Sequence, residues 1–281
     1  MTRRGFLSAA GVSAAAISSS GVAQGAPLKG RLKQAATRGC FGKLSKDFEE
    51  VCRIASKFGL EGIDLVGLPE YPTLKKYGLR PTMIGGVATL TEGVNHAESH
   101  AAAEERFRGI LKEAVEWGGP NIIVLSGNRR SLSDQQGKDN TVAFLNKIKA
   151  AAEDKGVTLC LELLNSKVDH KDYQCDHSAW GVDVCKRVNS PRVKLLYDIY
   201  HMQIMEGDII RTIRENMQWI GHFHTAGNPG RHELDASQEL NYPAIARAIV
   251  EAGFSGYLAH EYSPLGDPVR GLEEAIRACD A

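Results

Sequence analysis

From residue 33 onward, short apolar runs of β type alternate with longer stretches in which apolar residues recur every three or four positions. Period-two and continuous runs suit a sheet face and period-3.6 stretches a helix stripe, so the alternation predicts a parallel sheet built from strand–helix crossovers. The predicted strands cover residues 33–39, 62–66, 81–85, 122–125, 157–163, 193–197, 219–224 and 257–261. Helices are predicted from residue 45 to Gly59 and over 72–77, 97–117, 141–154, 179–188, 208–216, 242–252 and 272–279. Ser45 or Asp47 caps the first helix, whose Phe48, Val51, Cys52, Ala55 and Phe58 share one face. Eight strand–helix units in roughly 250 residues match a closed (β/α)8 barrel. An open doubly wound sheet would carry a glycine-rich phosphate turn after its first strand, and Gly39-Cys40-Phe41-Gly42 is not that turn. A single barrel domain is expected over residues 28–281.

The N-terminus departs from this pattern. Thr2-Arg3-Arg4-Gly5-Phe6-Leu7 leads into a run of small residues with no acidic side chain, so residues 1–25 read as a twin-arginine signal peptide. A periplasmic or extracellular location is expected. Residues 8–22 are too few and too weakly apolar to span a bilayer, so no membrane association beyond export is expected. Lysine plus arginine equals aspartate plus glutamate at 34 each, which leaves no excess positive charge for a nucleic-acid partner. Six cysteines are scattered without a CxxC pair, and buried free thiols are expected rather than disulfides.

Active sites of such barrels lie at the carboxyl ends of the strands, so a polar residue that ends an apolar strand is a candidate for chemistry. Four consecutive strands end that way, at Glu162, Asp198, His224 and Glu261. Their separations are each about one strand–helix repeat, which brings the four side chains together at the barrel mouth. Three carboxylates crowded into one partly buried site repel one another unless a cation neutralises them. Oxygen-rich ligation with one imidazole suits one divalent metal ion, Mn²⁺ or Mg²⁺ first, with Co²⁺ or Zn²⁺ as alternatives.

The motifs around these residues resemble the hydroxypyruvate isomerase family, within the xylose-isomerase-like TIM barrels that also include the ketose 3-epimerases. They are Leu161-Glu162-Leu163-Leu164-Asn165, Tyr197-Asp198-Ile199-Tyr200-His201-Met202-Gln203, Gly221-His222-Phe223-His224-Thr225-Ala226, Asn228-Pro229-Gly230-Arg231-His232-Glu233 and His260-Glu261. The resemblance implies a metal held by Glu162, Asp198, His224 and Glu261, with Glu162 and Glu261 as the acid–base pair and His201 and Arg231 on substrate. It implies isomerisation of a small hydroxy-keto acid or ketose to its aldehyde isomer through an enediolate. The same chemistry serves a ketose 3-epimerase or a related lyase, and a non-catalytic sugar-binding barrel is a further alternative.

Individual residues carry their own expectations. His201 lies three positions past Asp198, where it can meet a substrate hydroxyl or a metal-bound water. Arg231 follows a tight turn and can hold a substrate carboxylate with its planar fork, or pair with Glu233 or Asp235. His177, beside Trp180 and Gly181, suggests a lid over the pocket. His222 shares the inward face with His224 and His260 faces the other way. The expected partner is a small hydroxy-carbonyl substrate, and a homo-oligomer is compatible with the sequence.

Overall fold

The computed structural model describes residues 28–281, so the leader expected over residues 1–25 lies outside the described residues. Seven parallel strands form one sheet: β1 (Lys33–Thr37), β2 (Gly62–Asp64), β3 (Asn121–Val124), β4 (Thr158–Glu162), β5 (Val193–Asp198), β6 (Ile220–Thr225) and β7 (Tyr257–His260). Their order is β2-β1-β7-β6-β5-β4-β3. The helices are α1 (Phe48–Lys57), α2 (Tyr71–Lys76), α3 (His100–Trp117), α4 (Asp134–Lys155), α5 (Ser178–Val188), α6 (Ile199–Met205), α7 (Ile209–Asn216), α8 (Tyr242–Glu251) and α9 (Pro268–Ala278). Among the described residues no helix is long and apolar enough to cross a membrane.

The third predicted strand, 81–85, is not a regular strand. Residues 80–84 instead form an irregular stave that closes the circle through single bridges, Gly62 to Arg80 on one side and Ile84 to Ile122 on the other. Leu65 N donates to Met83 O at 2.8 Å, and Ile84 exchanges two bonds with β3 through Asn121 O and Ile123 N, each 2.9 Å. Pro81 has no N–H to add to a ladder, which is one reason the pairing stays broken. The stave runs so close to β2 that a Cβ on Gly62 would lie 2.2 Å from Arg80 O.

Helix starts follow their caps. Asp47 accepts from Glu50 N and opens α1. Ser133 and Gln136 form a reciprocal capping box that starts α4 at Asp134, seven residues before the predicted start at 141. An unexpected short helix, α6, follows β5 at once, because the Asp198 side chain accepts from His201 N and caps it. His201 therefore sits in the first turn of a helix rather than in a loop.

Two cores result. The large one lies between sheet and helices, where Tyr197, Phe223 and Phe254 meet with ring centroids 5.9 and 4.8 Å apart. Each such edge-on contact adds about 0.5–1.5 kcal/mol to the area it buries. The small one, Met83, Ile123, Cys160 and Leu196, fills one side of the barrel lumen. Strand alternation then places Glu162 two residues above Cys160 and Asp198 two above Leu196, on the same inner face. All six cysteines are buried and free.

Candidate metal centre and active site

Register assembles the site. Pairing between β5 and β6 skips Gly221, so Leu196 faces His222 and Asp198 faces His224. Without that bulge, β6 would turn its histidines away from the lumen, because a one-residue slip exchanges the faces of a strand. Gly221 tolerates the close approach, since a Cβ there would meet the Lys194 Cβ at 2.9 Å. Glu261 follows β7 directly, and its N–H donates to Thr225 O at 2.9 Å.

The structure brings the four predicted donors together. One donor atom each from Glu162, Asp198, His224 and Glu261 lies within 4.8 Å of the others. His224 Nδ1 stands 3.0 Å from Glu261 Oε2, 3.7 Å from Glu162 Oε1 and 4.0 Å from Asp198 Oδ2. Asp198 spends Oδ1 on the α6 cap at 3.0 Å, which leaves Oδ2 for the cluster. His224 Nε2 lies 3.1 Å from Asp64 Oδ2, and the same oxygen is 2.7 Å from His222 Nε2. Thr82 Oγ1 donates to Asp64 Oδ1.

These bonds fix protons. Asn121 Nδ2 donates to Thr82 O and points at His222 Nδ1 from 3.4 Å, so His222 carries its proton on Nε2, toward Asp64. With His224 Nε2–H also given to Asp64, its Nδ1 faces three carboxylates without a well-formed hydrogen bond. Against burial, the Glu261 and Asp64 charges push the imidazole pKa well above its ordinary value, so without an ion the Nδ1 lone pair takes up a proton. Such a lone pair needs a proton or a cation in front of it. Burial and then the Glu261 charge push the Glu162 carboxyl up, whereas His224 and Arg231 outweigh burial and hold Glu261 down. Three crowded acids and one orphaned imidazole nitrogen fit a divalent ion: the set is three oxygens and one nitrogen, with no thiolate.

Two other predicted residues border the cluster. Arg231 Nη2 lies 2.6 Å from Glu261 Oε2 and 3.8 Å from Asp198 Oδ2, and its guanidinium lies over the Tyr200 ring. Neither Glu233 nor Asp235 is its partner; Glu233 instead accepts from Leu265 and Gly266 N–H. Arg231 has a left-handed φ of 59°, held by Arg231 N to Gly227 O and Ser263 N to Arg231 O, both 2.9 Å. Its Nε is buried without an acceptor. His201 is fully buried, and burial lowers its pKa to about 4, so the ring is neutral. Its Nε2 is 3.7 Å from Asp198 Oδ2 and unpartnered.

His177 sits apart from the cluster. It precedes α5 with its side chain half exposed, and its Nδ1 lies 2.7 Å from Asp176 Oδ1. Asp176 also takes Ser166 Oγ at 2.6 Å, so His177 belongs to a loop network. His260 packs behind the sheet, bonded to Thr225 Oγ1 at 2.8 Å and Gln34 Oε1 at 3.0 Å. Sequence reasoning missed Asp64. Its signal was an acid inside an apolar strand, a residue type almost never fully buried unless paired. It also missed Arg38, which with Thr37, Asp64, Arg231, Glu261 and Ser263 lines a mouth cavity of about 340 Å³.

The chain belongs to the xylose isomerase-like TIM barrel family, whose model matches residues 72–281. A putative hydroxypyruvate isomerase of Xenopus laevis is 31% identical over 189 residues, covering 63% of this chain and 69% of that protein. A 2-oxo-tetronate isomerase of Cupriavidus necator is 33% identical over 177 residues, 60% of this chain and 66% of the relative. The matched stretches thus span about two thirds of these relatives' lengths. They place the chain among isomerases of the barrel group. The crystal structure of apo 3-keto-D-glucoside 4-epimerase from E. coli shares the fold, with a TM-score of 0.73 at 22% identity, covering 88% of this chain and all of that one.

Proposed function

We propose that this protein is a divalent-metal-dependent isomerase that moves a carbonyl between neighbouring carbons of a small hydroxy-keto acid of the hydroxypyruvate kind. One observation carries the reading: Glu162, Asp198, His224 and Glu261 converge within 4.8 Å, with an unpartnered imidazole nitrogen facing three carboxylates. A bound Mn²⁺ or Mg²⁺ supplies Lewis acidity toward carbonyl and hydroxyl oxygens. The chain's own residues do the rest.

A carbon-bound proton beside the carbonyl passes to a Glu162 or Glu261 carboxylate, and the electron pair left behind spreads into an enediolate. Return of a proton to the neighbouring carbon completes the isomerisation with no outside oxidant or reductant. Return to the original carbon from the opposite glutamate gives epimerisation instead. His201, neutral and unpartnered at Nε2, supplies a hydrogen bond to the substrate oxygens. Arg231 Nε, buried without an acceptor, favours a substrate that carries a carboxylate. The cavity of about 340 Å³ admits a substrate of a few carbons. The reading also includes export through the twin-arginine leader, so that the enzyme works outside the cytoplasm.

The test is incubation of the metal-loaded protein in D₂O with hydroxypyruvate, other hydroxy-keto acids and ketoses, followed by NMR. Metal-dependent deuterium uptake beside the carbonyl together with the aldehyde product is expected. Metal binding with no exchange on any acid or ketose overturns the reading, and exchange with inversion alone transfers it to epimerisation.

A further inference from the structure

His201 is an acid, a base or a donor according to which ring nitrogen carries its proton, and residues outside the metal cluster decide that. The decision begins at Asn165, three residues past the end of β4. Its Oδ1 accepts two backbone N–H groups, Val168 at 3.0 Å and Asp169 at 2.9 Å. Backbone N–H groups only donate, so the oxygen must face them and the NH₂ group must point the other way. That NH₂ group has two hydrogens and two acceptors: Asp169 Oδ2 at 2.7 Å and His201 Nδ1 at 2.6 Å.

A nitrogen that accepts a hydrogen bond carries no proton. The carboxylate nearest His201 Nδ1 among the described residues, Asp169 Oδ2, stands 3.9 Å away, beyond hydrogen-bond reach. The ring proton therefore resides on Nε2, which is buried, has no partner, and lies 3.7 Å from the Asp198 oxygen that faces the metal cluster. The His170 and Tyr200 rings pack against it, with centroids 5.2 and 5.1 Å away and planes tilted by 59° and 64°. A buried donor with no acceptor costs stability unless something accepts from it.

We propose that Asn165 is a positioning residue that fixes His201 as the Nε2–H tautomer, so that a neutral imidazole donates to the substrate oxygen on which negative charge collects. The proposal rests on the isomerase reading for its substrate and on this chain's hydrogen bonds for the tautomer. His201 is then an electrophilic donor and not the base that removes the carbon-bound proton, a task left to the two glutamates.

Asn165→Asp tests it. Asp keeps an oxygen for Val168 and Asp169 N–H but places a second oxygen where the NH₂ group was, which draws the ring proton to Nδ1. The mature, Mg²⁺-loaded protein is labelled with ¹⁵N-histidine, and the His201 ring is assigned by comparison with His201→Gln. Wild type is expected to show the Nε2–H pattern and Asn165→Asp the Nδ1–H or doubly protonated pattern. The variant's kcat is expected to fall about 10²–10³-fold, the effect of losing one such donor, with KM within about twofold. In a His201→Gln background the same Asn165→Asp change is expected to add little, because glutamine brings its own NH₂ donor. An Nδ1–H ring in wild type, an unchanged ring in the variant, or an equal kcat loss in both backgrounds overturns the proposal. If no substrate exchanges at all, the isomerase reading fails, while the ring spectra still decide whether Asn165 sets the tautomer.

Discussion

Replacing Asp64 by Asn removes one buried charge behind the proposed metal site and little else. The amide has nearly the same shape: its oxygen can still accept from His222 and His224, now at 2.7 and 3.1 Å, and its NH₂ group can donate to Thr82 Oγ1. What disappears is the anion that makes the His224 bond charge-assisted and raises the basicity of Nδ1. Losing such an outer partner lowers metal affinity about 10–100-fold, or about 1.4–2.7 kcal/mol. Asp64→Ala also leaves two buried N–H groups unsatisfied at about 1–3 kcal/mol each, so it should unfold at markedly lower temperature even without metal. The assay is calorimetric titration of metal-stripped wild type and both variants with Mn²⁺, beside their melting curves in EDTA. Asp64→Asn should bind 10–100-fold more weakly with nearly unchanged metal-free melting. An affinity within twofold of wild type refutes the idea that Asp64 tunes His224 for a cation.

Other consequences are independent of that residue. Arg231→Lys loses the fork and the free Nε donor, so kcat/KM should fall about 10–100-fold on acid substrates and much less on neutral ketoses, as steady-state assays on both classes would reveal; equal losses contradict a carboxylate contact. Burial depresses the His260 pKa from 6.5 to about 3, so between these values the unfolded chain binds the extra proton and stability falls as pH falls. From pH 7.5 to 5 this residue should cost about 2 kcal/mol, and His260→Gln should flatten the denaturation curve by that amount; an unchanged pH slope counts against it. Residues 1–27 fused to a folded reporter should direct it out of the bacterial cytoplasm, and Arg3→Lys with Arg4→Lys should abolish export, as cell fractionation reads.

The convergence of Glu162, Asp198, His224 and Glu261 is legible because each ends an apolar run and the runs recur at the length of one strand–helix repeat. Neither signal needs tertiary information. Asp64 was not legible, since its meaning comes from His222 and His224, about 160 residues away, across the lumen. The helix α6 was hidden because Asp198 serves twice, with one oxygen for the cluster and one for the cap, and only the first use was anticipated. The stave at 80–84 looked like a strand by its hydropathy, whereas Pro81 and its single bridges make it an irregular closure. His177 and Arg231 show the limit of loop reading: one turned toward Asp176 and the other toward Glu261, and nothing in their local sequence distinguishes the two.

On the proposed reading, four side chains from neighbouring staves share one cation. Metal content by mass spectrometry, with titration of the stripped protein, measures it directly. One divalent ion per chain is predicted, with affinity reduced at least 100-fold by Glu162→Gln and by His224→Gln while both variants stay folded in EDTA. Absence of a stoichiometric ion, or equal affinity in wild type and both variants, would contradict it.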